Sequence, residues 1–203
     1  MIKLYGLKLS NYYSLTKALL LEKGLEFEEV KTPPSQEEGF LSKSPMGKMP
    51  AIEADGVYLS ETIAIAQYLE QLKPGLMPAD PMAAAKVMEL VCHMKLDVEL
   101  VARRCLPAAF FGQEVSQEVK DTTKADLEKG MKAVARVFKG DPWAAGSDMT
   151  LADFYTFYTF GLSSGVAKAI WDMDLLADHP AIAGVMAKMA ELPSVAQVEA
   201  EKG

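Results

Sequence analysis

Gly47-Lys48-Met49-Pro50-Ala51-Ile52-Glu53-Ala54-Asp55-Gly56-Val57-Tyr58-Leu59-Ser60-Glu61-Thr62 holds most of what decides the fold. Two short apolar runs, 51–54 and 57–59, flank Asp55-Gly56. Asp-Gly suits a two-residue turn whose twist matches the strands on either side, so the stretch predicts an antiparallel hairpin. Ser60 then reads as the N-cap of a helix in which Ile65, Tyr68, Leu69 and Leu72 share one face. Pro50 stands directly before the first of these strands, and two readings of it stay open. It can be a turn proline, placed where its missing N–H matters little. It can also mark a cis Met49–Pro50 peptide, which would turn the N–H and C=O of Met49 outward to pair with the backbone of a bound peptide.

Towards the N-terminus, residues 2–6 read as a strand. Residues 11–23 read as a helix bearing Leu15, Ala18, Leu19 and Glu22 at helical spacing and ended by Gly24. Residues 27–30 form a second short strand, broken by Thr32-Pro33-Pro34-Ser35. Residues 36–43 are a short weak helix or an irregular loop. The order is βαβαββα. One helical crossover followed by a hairpin requires a mixed sheet.

Past residue 73 the pattern changes. Residues 73–81 carry three prolines and a glycine and read as a linker. Pro81 can open a long helix over 82–106. A second runs over 114–139 and ends at Gly140, a third starts at Thr150, and a fourth covers 180–192. Thr150 and Asp153 have capping-box spacing, and Met149 could pack on Phe154 as a staple. No strand signal follows residue 81. The expected organisation is a thiol-free α/β domain over 1–73, a linker over 74–81 and an all-helical domain over 82–203.

The chain has 203 residues, half of them hydrophobic, so it can build a core without metal or disulfide support. Its formal net charge of −7 argues against a nucleic-acid backbone binder. The two cysteines, Cys92 and Cys105, lie in the second half, form no CxxC and read as ordinary helix thiols, which fits a reducing cytosol. No signal peptide is expected ahead of the first strand, and no apolar run is long enough to span a membrane. His93 and His179 are isolated, so no metal site is expected.

Two further stretches carry chemistry. In Ser10-Asn11-Tyr12-Tyr13-Ser14 a hydroxyl lies at a helix N-terminus, where partial positive charge favours a thiolate over a thiol. Capping by Ser10, Asn11 or Ser14 is the competing reading. In Ser60-Glu61-Thr62 an acidic first turn can simply cap the helix. It can also receive an amino-acid terminus, with the carboxylate on the helix N-terminus and the Thr62 hydroxyl and the ammonium on Glu61.

Taken in order, these pieces resemble the cytosolic glutathione transferases. Ser44-Pro45-Met46-Gly47-Lys48-Met49-Pro50-Ala51-Ile52 is similar to the family's N-P-x-G-x-V-P-x-L run. Ser60-Glu61-Thr62-Ile63-Ala64-Ile65 resembles its E-S-x-A-I run, with Thr62 where serine is commoner. Gly146 to Asp153 resembles the capping segment of its helical domain. The resemblance implies a thioredoxin-like N-terminal domain holding glutathione as co-substrate, without a metal, and an all-α C-terminal domain. Met49, beside Pro50, would pair its backbone with the cysteinyl part. Glu61 and Thr62 would hold the γ-glutamyl end, and Lys48 would lie near the glycyl carboxylate or the peptide backbone. Ser10 is the first candidate for the hydroxyl that activates the thiol, Tyr12 the second and Tyr5 the third. Tyr12 stands where the bacterial cysteine-type class carries its cysteine.

The implied reaction is attack of glutathione thiolate on a small hydrophobic electrophile. A thiol of pKa about 8.5 must fall by about two units, or roughly 2.7 kcal/mol, to be mainly thiolate at neutral pH. The resemblance places the electrophile between the domains, with Arg103, Arg104, Phe110 and Phe111 as candidates for its wall, although core or surface packing is the favoured reading of each. It also implies a cytoplasmic homodimer with a role in detoxification. A non-catalytic binding or regulatory protein on the same scaffold is the alternative, and a glutathione-dependent peroxidase or dehalogenase ranks lower. A thiol-disulfide reductase is disfavoured, because residues 1–91 hold no cysteine.

Overall fold

The computed structural model describes residues 1–202; Gly203, the last residue of the expected helical domain, lies outside the described residues. The first part runs β1 (Ile2–Gly6), α1 (Asn11–Glu22), β2 (Phe27–Lys31), α2 (Glu38–Leu41), β3 (Ala51–Ala54), β4 (Val57–Ser60) and α3 (Thr62–Leu72), in the expected order. The strands form one mixed sheet in the order β2-β1-β3-β4. β1 and β2 are parallel, which requires the α1 crossover, and the other two pairings are antiparallel. This is the thioredoxin-like arrangement. At the hairpin, Asp55 and Gly56 both have positive φ, as the Asp-Gly dipeptide predicts.

Alternation along the strands decides which face is covered. Leu4 and Ile52 are fully buried, as are Leu19 and Leu20 of α1 and Ile65 and Leu69 of α3. Lys3, Tyr5 and Glu53 point to the other face, where Lys3 and Tyr5 both reach the Glu53 carboxylate. α1 is buried all the way from Tyr13 to Leu20. A helix buried over two full turns must be covered on every side, and the last helix of the chain supplies part of that cover.

The helix expected over 180–192 is present as α9 (Pro180–Glu191), and a further helix that the sequence did not suggest, α10 (Pro193–Ala200), follows it. The chain divides into two compact units, one holding residues 1–75 together with those from Glu191 on, the other Leu76–Ala190. The physical reason is that α10 docks on α1. Lys17 of α1 is only 3% exposed, and its ammonium is held by Glu29 at 2.6 Å and Glu201 at 2.5 Å. Ser194 donates to Glu22 at 2.7 Å.

The second unit is helical. α4 (Pro81–Cys92) is capped by the Asp80 side chain. The single helix expected over 82–106 is instead a chain of segments. A π-helical turn (His93–Glu99) follows α4, then α5 (Leu100–Ala102), a 3-10 turn (Arg103–Cys105) and α6 (Leu106–Phe110). α7 (Gln117–Val137) crosses the π turn at Gly130, where a Cβ would lie 2.0 Å from the carbonyl oxygen of Asp97. Glu99 is fully buried on the turn, bonded to Lys95 at 2.7 Å, Arg103 at 2.8 Å and the Thr159 hydroxyl at 3.1 Å. Burial pushes its carboxyl up, but those two cations bring it below the usual range. α8 (Leu151–Trp171) starts at the expected capping box. Asp153, fully buried, accepts from the Thr150 N–H at 2.7 Å, the Thr150 hydroxyl at 3.2 Å and the Ala144 N–H at 2.7 Å. Phe154, Tyr155, Tyr158 and Phe160 are core residues. Among the described residues no helix is long and apolar enough to cross a membrane.

Two outcomes follow from this packing. In Gly130→Ala the gain in helix propensity is outweighed by the clash with the Asp97 backbone. A net loss of about 1–3 kcal/mol is expected, read as a lower midpoint of thermal unfolding. Glu201 is held down to about 2, from an ordinary value of 4.5, by hydrogen bonds from Lys17 and then Lys8. Its contribution to stability is therefore complete above about pH 4.5 and fades as the pH falls towards 2. The gap in melting temperature between the wild type and Glu201→Gln should be widest near neutrality, narrow below about pH 4.5 and close only as the pH falls through about 2, as followed by circular dichroism.

Candidate functional site

The sheet register gathers the candidate residues. Tyr5 of β1 pairs with Ala51 of β3, and Ala51 pairs with Ser60 of β4. These three residues form a row across neighbouring strands, about 4.8 Å apart. β1 leaves the row at Gly6, β3 enters it from Pro50, and β4 leaves it at Ser60. The segments carrying Ser10, Lys48-Met49-Pro50 and Glu61-Thr62 therefore all emerge at one edge of the sheet.

Close approach at this edge depends on Gly6. A Cβ there would lie 2.5 Å from the Tyr13 ring and 3.4 Å from Cβ of Met49. The Met49–Pro50 peptide is cis. Pro50 is buried, Met49 is half-buried and Lys48 is exposed. The preceding turn is pinned by Gly47, whose φ is +63. A side chain at Gly47 would meet Gln36 and the Ser35 carbonyl at 2.3 Å. The Gln36 amide donates to the Met46 carbonyl at 3.2 Å.

The helix start at α3 differs from the expectation. Ser60 is the last residue of β4, not the N-cap, because its pairing with Ala51 keeps it in the strand. The N-cap is Glu61, with φ +69 and ψ 118, and its side chain makes no capping bond. A non-glycine residue in this region costs of order 1–3 kcal/mol and persists only where its surroundings impose it. Its exposed carboxylate is thus free of a capping duty, beside the first-turn N–H groups of a helix that begins with the buried Thr62. That pairing of an acid with an N-terminal set of donors suits a zwitterionic amino-acid end.

At the first helix the capping reading describes Ser10 correctly: its Oγ accepts from the Tyr13 N–H at 3.4 Å. Acceptance uses a lone pair and leaves the hydroxyl hydrogen for donation, so capping and thiol activation are compatible. Tyr12 is half-buried on the first turn of α1. Tyr5 is otherwise engaged. It is buried and donates to Glu53 at 2.6 Å, and burial together with that carboxylate holds its phenol well above the usual range. Tyr13 is likewise buried and tied to Glu29. In the helical unit, Arg103 and Arg104 are not spare cations: the first bonds Glu99 and the second bonds Asp126 at 2.6 Å. Phe110 and Phe111 are more than half exposed.

Sequence reasoning missed the acid–base group behind this site, in which Lys17 joins Glu29 and Glu201 and Tyr13 joins Glu29. One signal was present. Lys17 interrupts the apolar run Leu15 to Leu21, and a lysine inside a buried helix needs a carboxylate partner.

Comparison with known proteins bears on the family and the fold. The glutathione S-transferase N-terminal domain family matches residues 4–76, and the C-terminal domain family matches residues 103–202. A glutathione S-transferase of Pseudomonas putida is 41% identical over 204 residues, covering 100% of this chain and 93% of that protein. One from Escherichia coli is 28% identical over 168 residues, covering 81% and 78%. Among solved structures, a glutathione transferase of Populus trichocarpa superposes with a TM-score of 0.83 at 19% identity, covering 100% and 99%. A glutathione transferase homologue from Sulfitobacter, solved with bound glutathione, gives 0.76 at 24% identity, covering 99% and 98%. At such identities these two speak for the fold alone. With both domain families matched in order and a relative 41% identical along the whole chain, this protein belongs to the glutathione S-transferase family.

Proposed function

We propose that this glutathione transferase joins the thiolate of glutathione to a small hydrophobic electrophile, with Ser10 as the hydroxyl that activates the thiol. The supporting observation is the Tyr5–Ala51–Ser60 row, which brings the Ser10 loop, the cis-proline turn and the strained Glu61 to one edge. Glu61 would take the γ-glutamyl ammonium, and Thr62 with the α3 N-terminus its carboxylate. The Met49 backbone, beside Pro50, would pair with the cysteinyl unit, and Lys48 would face the glycyl carboxylate. The sulfur would then meet the positive end of α1, where the Ser10 hydroxyl donates to it and Tyr12 stands second. The thiolate attacks the electrophilic carbon, a carbon–sulfur bond forms, and the leaving group departs with the electron pair. Ser10 is preferred over Tyr5 because the Tyr5 hydroxyl already donates its hydrogen bond to Glu53. A cytoplasmic homodimer serving detoxification completes the reading.

Turnover of a generic aryl halide should fall roughly 10- to 100-fold in Ser10→Ala, the worth of one hydrogen bond to a charged acceptor. Tyr5→Phe should leave it unchanged. If Ser10→Ala and Tyr12→Phe both keep full turnover on a protein that still binds glutathione resin, the hydroxyl assignment is wrong. Glu61→Gly keeps the backbone without strain and removes the carboxylate. Its melting temperature should equal or exceed that of the wild type, while calorimetry shows glutathione binding weakened about tenfold or more.

A further inference from the structure

The loop that carries Ser10 is tied to the end of the chain. Within the loop, the Ser10 N–H donates to the Leu7 carbonyl at 2.9 Å, and the Ser14 hydroxyl donates to the Lys8 carbonyl at 3.3 Å. On its outer side the loop borders a cavity of about 520 Å3 walled by Leu7, Leu9, Glu29 and Glu201. Leu9 is 83% exposed. Packing therefore does not hold this side of the loop. An ion pair does: Lys8 Nζ lies 2.8 Å from Oε2 of Glu201.

Glu201 is an odd residue to find there. It is the C-cap of α10, where the last carbonyls present partial negative charge and a carboxylate is disfavoured. Three donors hold it in place. Lys17 and Lys8 share Oε2, and the Gln197 amide donates to Oε1 at 3.2 Å. A solvent-exposed ion pair by itself contributes little, because both side chains lose freedom. Here the carboxylate is already immobilised by the buried Lys17, so closing the pair orders only the Lys8 side chain.

We infer that Glu201 is a positioning residue for thiol activation. Through Lys8 it holds the Leu7–Ser10 loop, and through Lys17 it holds α1, so that the hydroxyl at the helix N-terminus stays aimed at the glutathione sulfur. The inference rests on the assignment of that loop to thiol activation. The peptide-holding residues sit on the β3 and β4 ends of the row, whereas the clamp holds the loop that leaves β1, so its loss should act on chemistry and not on affinity.

The full chain is assayed with glutathione and an aryl halide as wild type, Lys8→Met, Lys8→Arg and Glu201→Gln. Ionisation of bound glutathione is followed by thiolate absorbance against pH, and its Kd by calorimetry. Lys8→Met and Glu201→Gln should lower kcat about tenfold, as expected when a reacting group is slightly misplaced. The bound thiol should ionise about one pH unit higher in both. The glutathione Kd should stay within about twofold, which also reports that the variants are folded. Lys8→Arg, which keeps the charge, should behave as wild type. The inference is overturned if Lys8→Met retains both wild-type kcat and thiol ionisation, or if Lys8→Arg loses as much as Lys8→Met. If the thiol of the wild type fails to ionise on binding, or neither Ser10→Ala nor Tyr12→Phe moves its ionisation, the loop is not the activator. The fault then lies in the parent assignment, and both readings fall together.

Discussion

Cross-strand pairing of Tyr5 with Ala51 and of Ala51 with Ser60 places every other part of the candidate site. Side chains alternate along a strand, so a slip of one residue would exchange the two faces of the sheet. Leu4 and Ile52 would then leave the core, and Lys3, Tyr5 and Glu53 would enter it without water. The cost of that exchange locks the register. Once locked, it leaves little choice about where the segments after Gly6, before Ala51 and after Ser60 emerge.

The site is assembled at the ends of regular elements, where backbone groups lack partners by construction. Two helices begin at the same edge, α1 beneath Ser10 and α3 beneath Glu61, and both present donors and partial positive charge. One binds a side chain of its own, since Ser10 caps α1. The other does not, since Glu61 is turned by its positive φ into a conformation that makes no capping bond. α1 therefore begins with a side-chain cap and α3 begins without one. Tyrosines nearby are spoken for: Tyr5 donates a hydrogen bond to Glu53 and Tyr13 donates one to Glu29.

The helical unit shows how buried polar groups are tolerated. Asp153 receives three donors at the start of α8, and Glu99 receives Lys95, Arg103 and Thr159. Both are fully buried, and both are satisfied. The capping box was legible as Thr150 and Asp153, because cap geometry is local. The Glu99 group was not, because its turn is π-helical and Thr159 lies sixty residues away. Gly130 was likewise silent: only the crossing of α7 over the Asp97 carbonyl shows why no side chain is allowed there.

Local rules were enough to read much of this protein from its residues. Asp55-Gly56 specified the hairpin, Pro81 opened α4, Gly24 closed α1, and the spacing of Glu61, Thr62 and Pro50 pointed to one family of folds. Each of those features is decided within a few residues by backbone sterics, capping or short-range periodicity. The tertiary structure decided what depends on partners far apart in the chain. It made Glu61 and not Ser60 the helix cap, withdrew Tyr5 by bringing up Glu53, and joined α10 to α1 through Lys17 and Glu201. These are long-range choices, because a buried charge or a strand register takes its energy from groups whose distance in sequence carries no periodic signal.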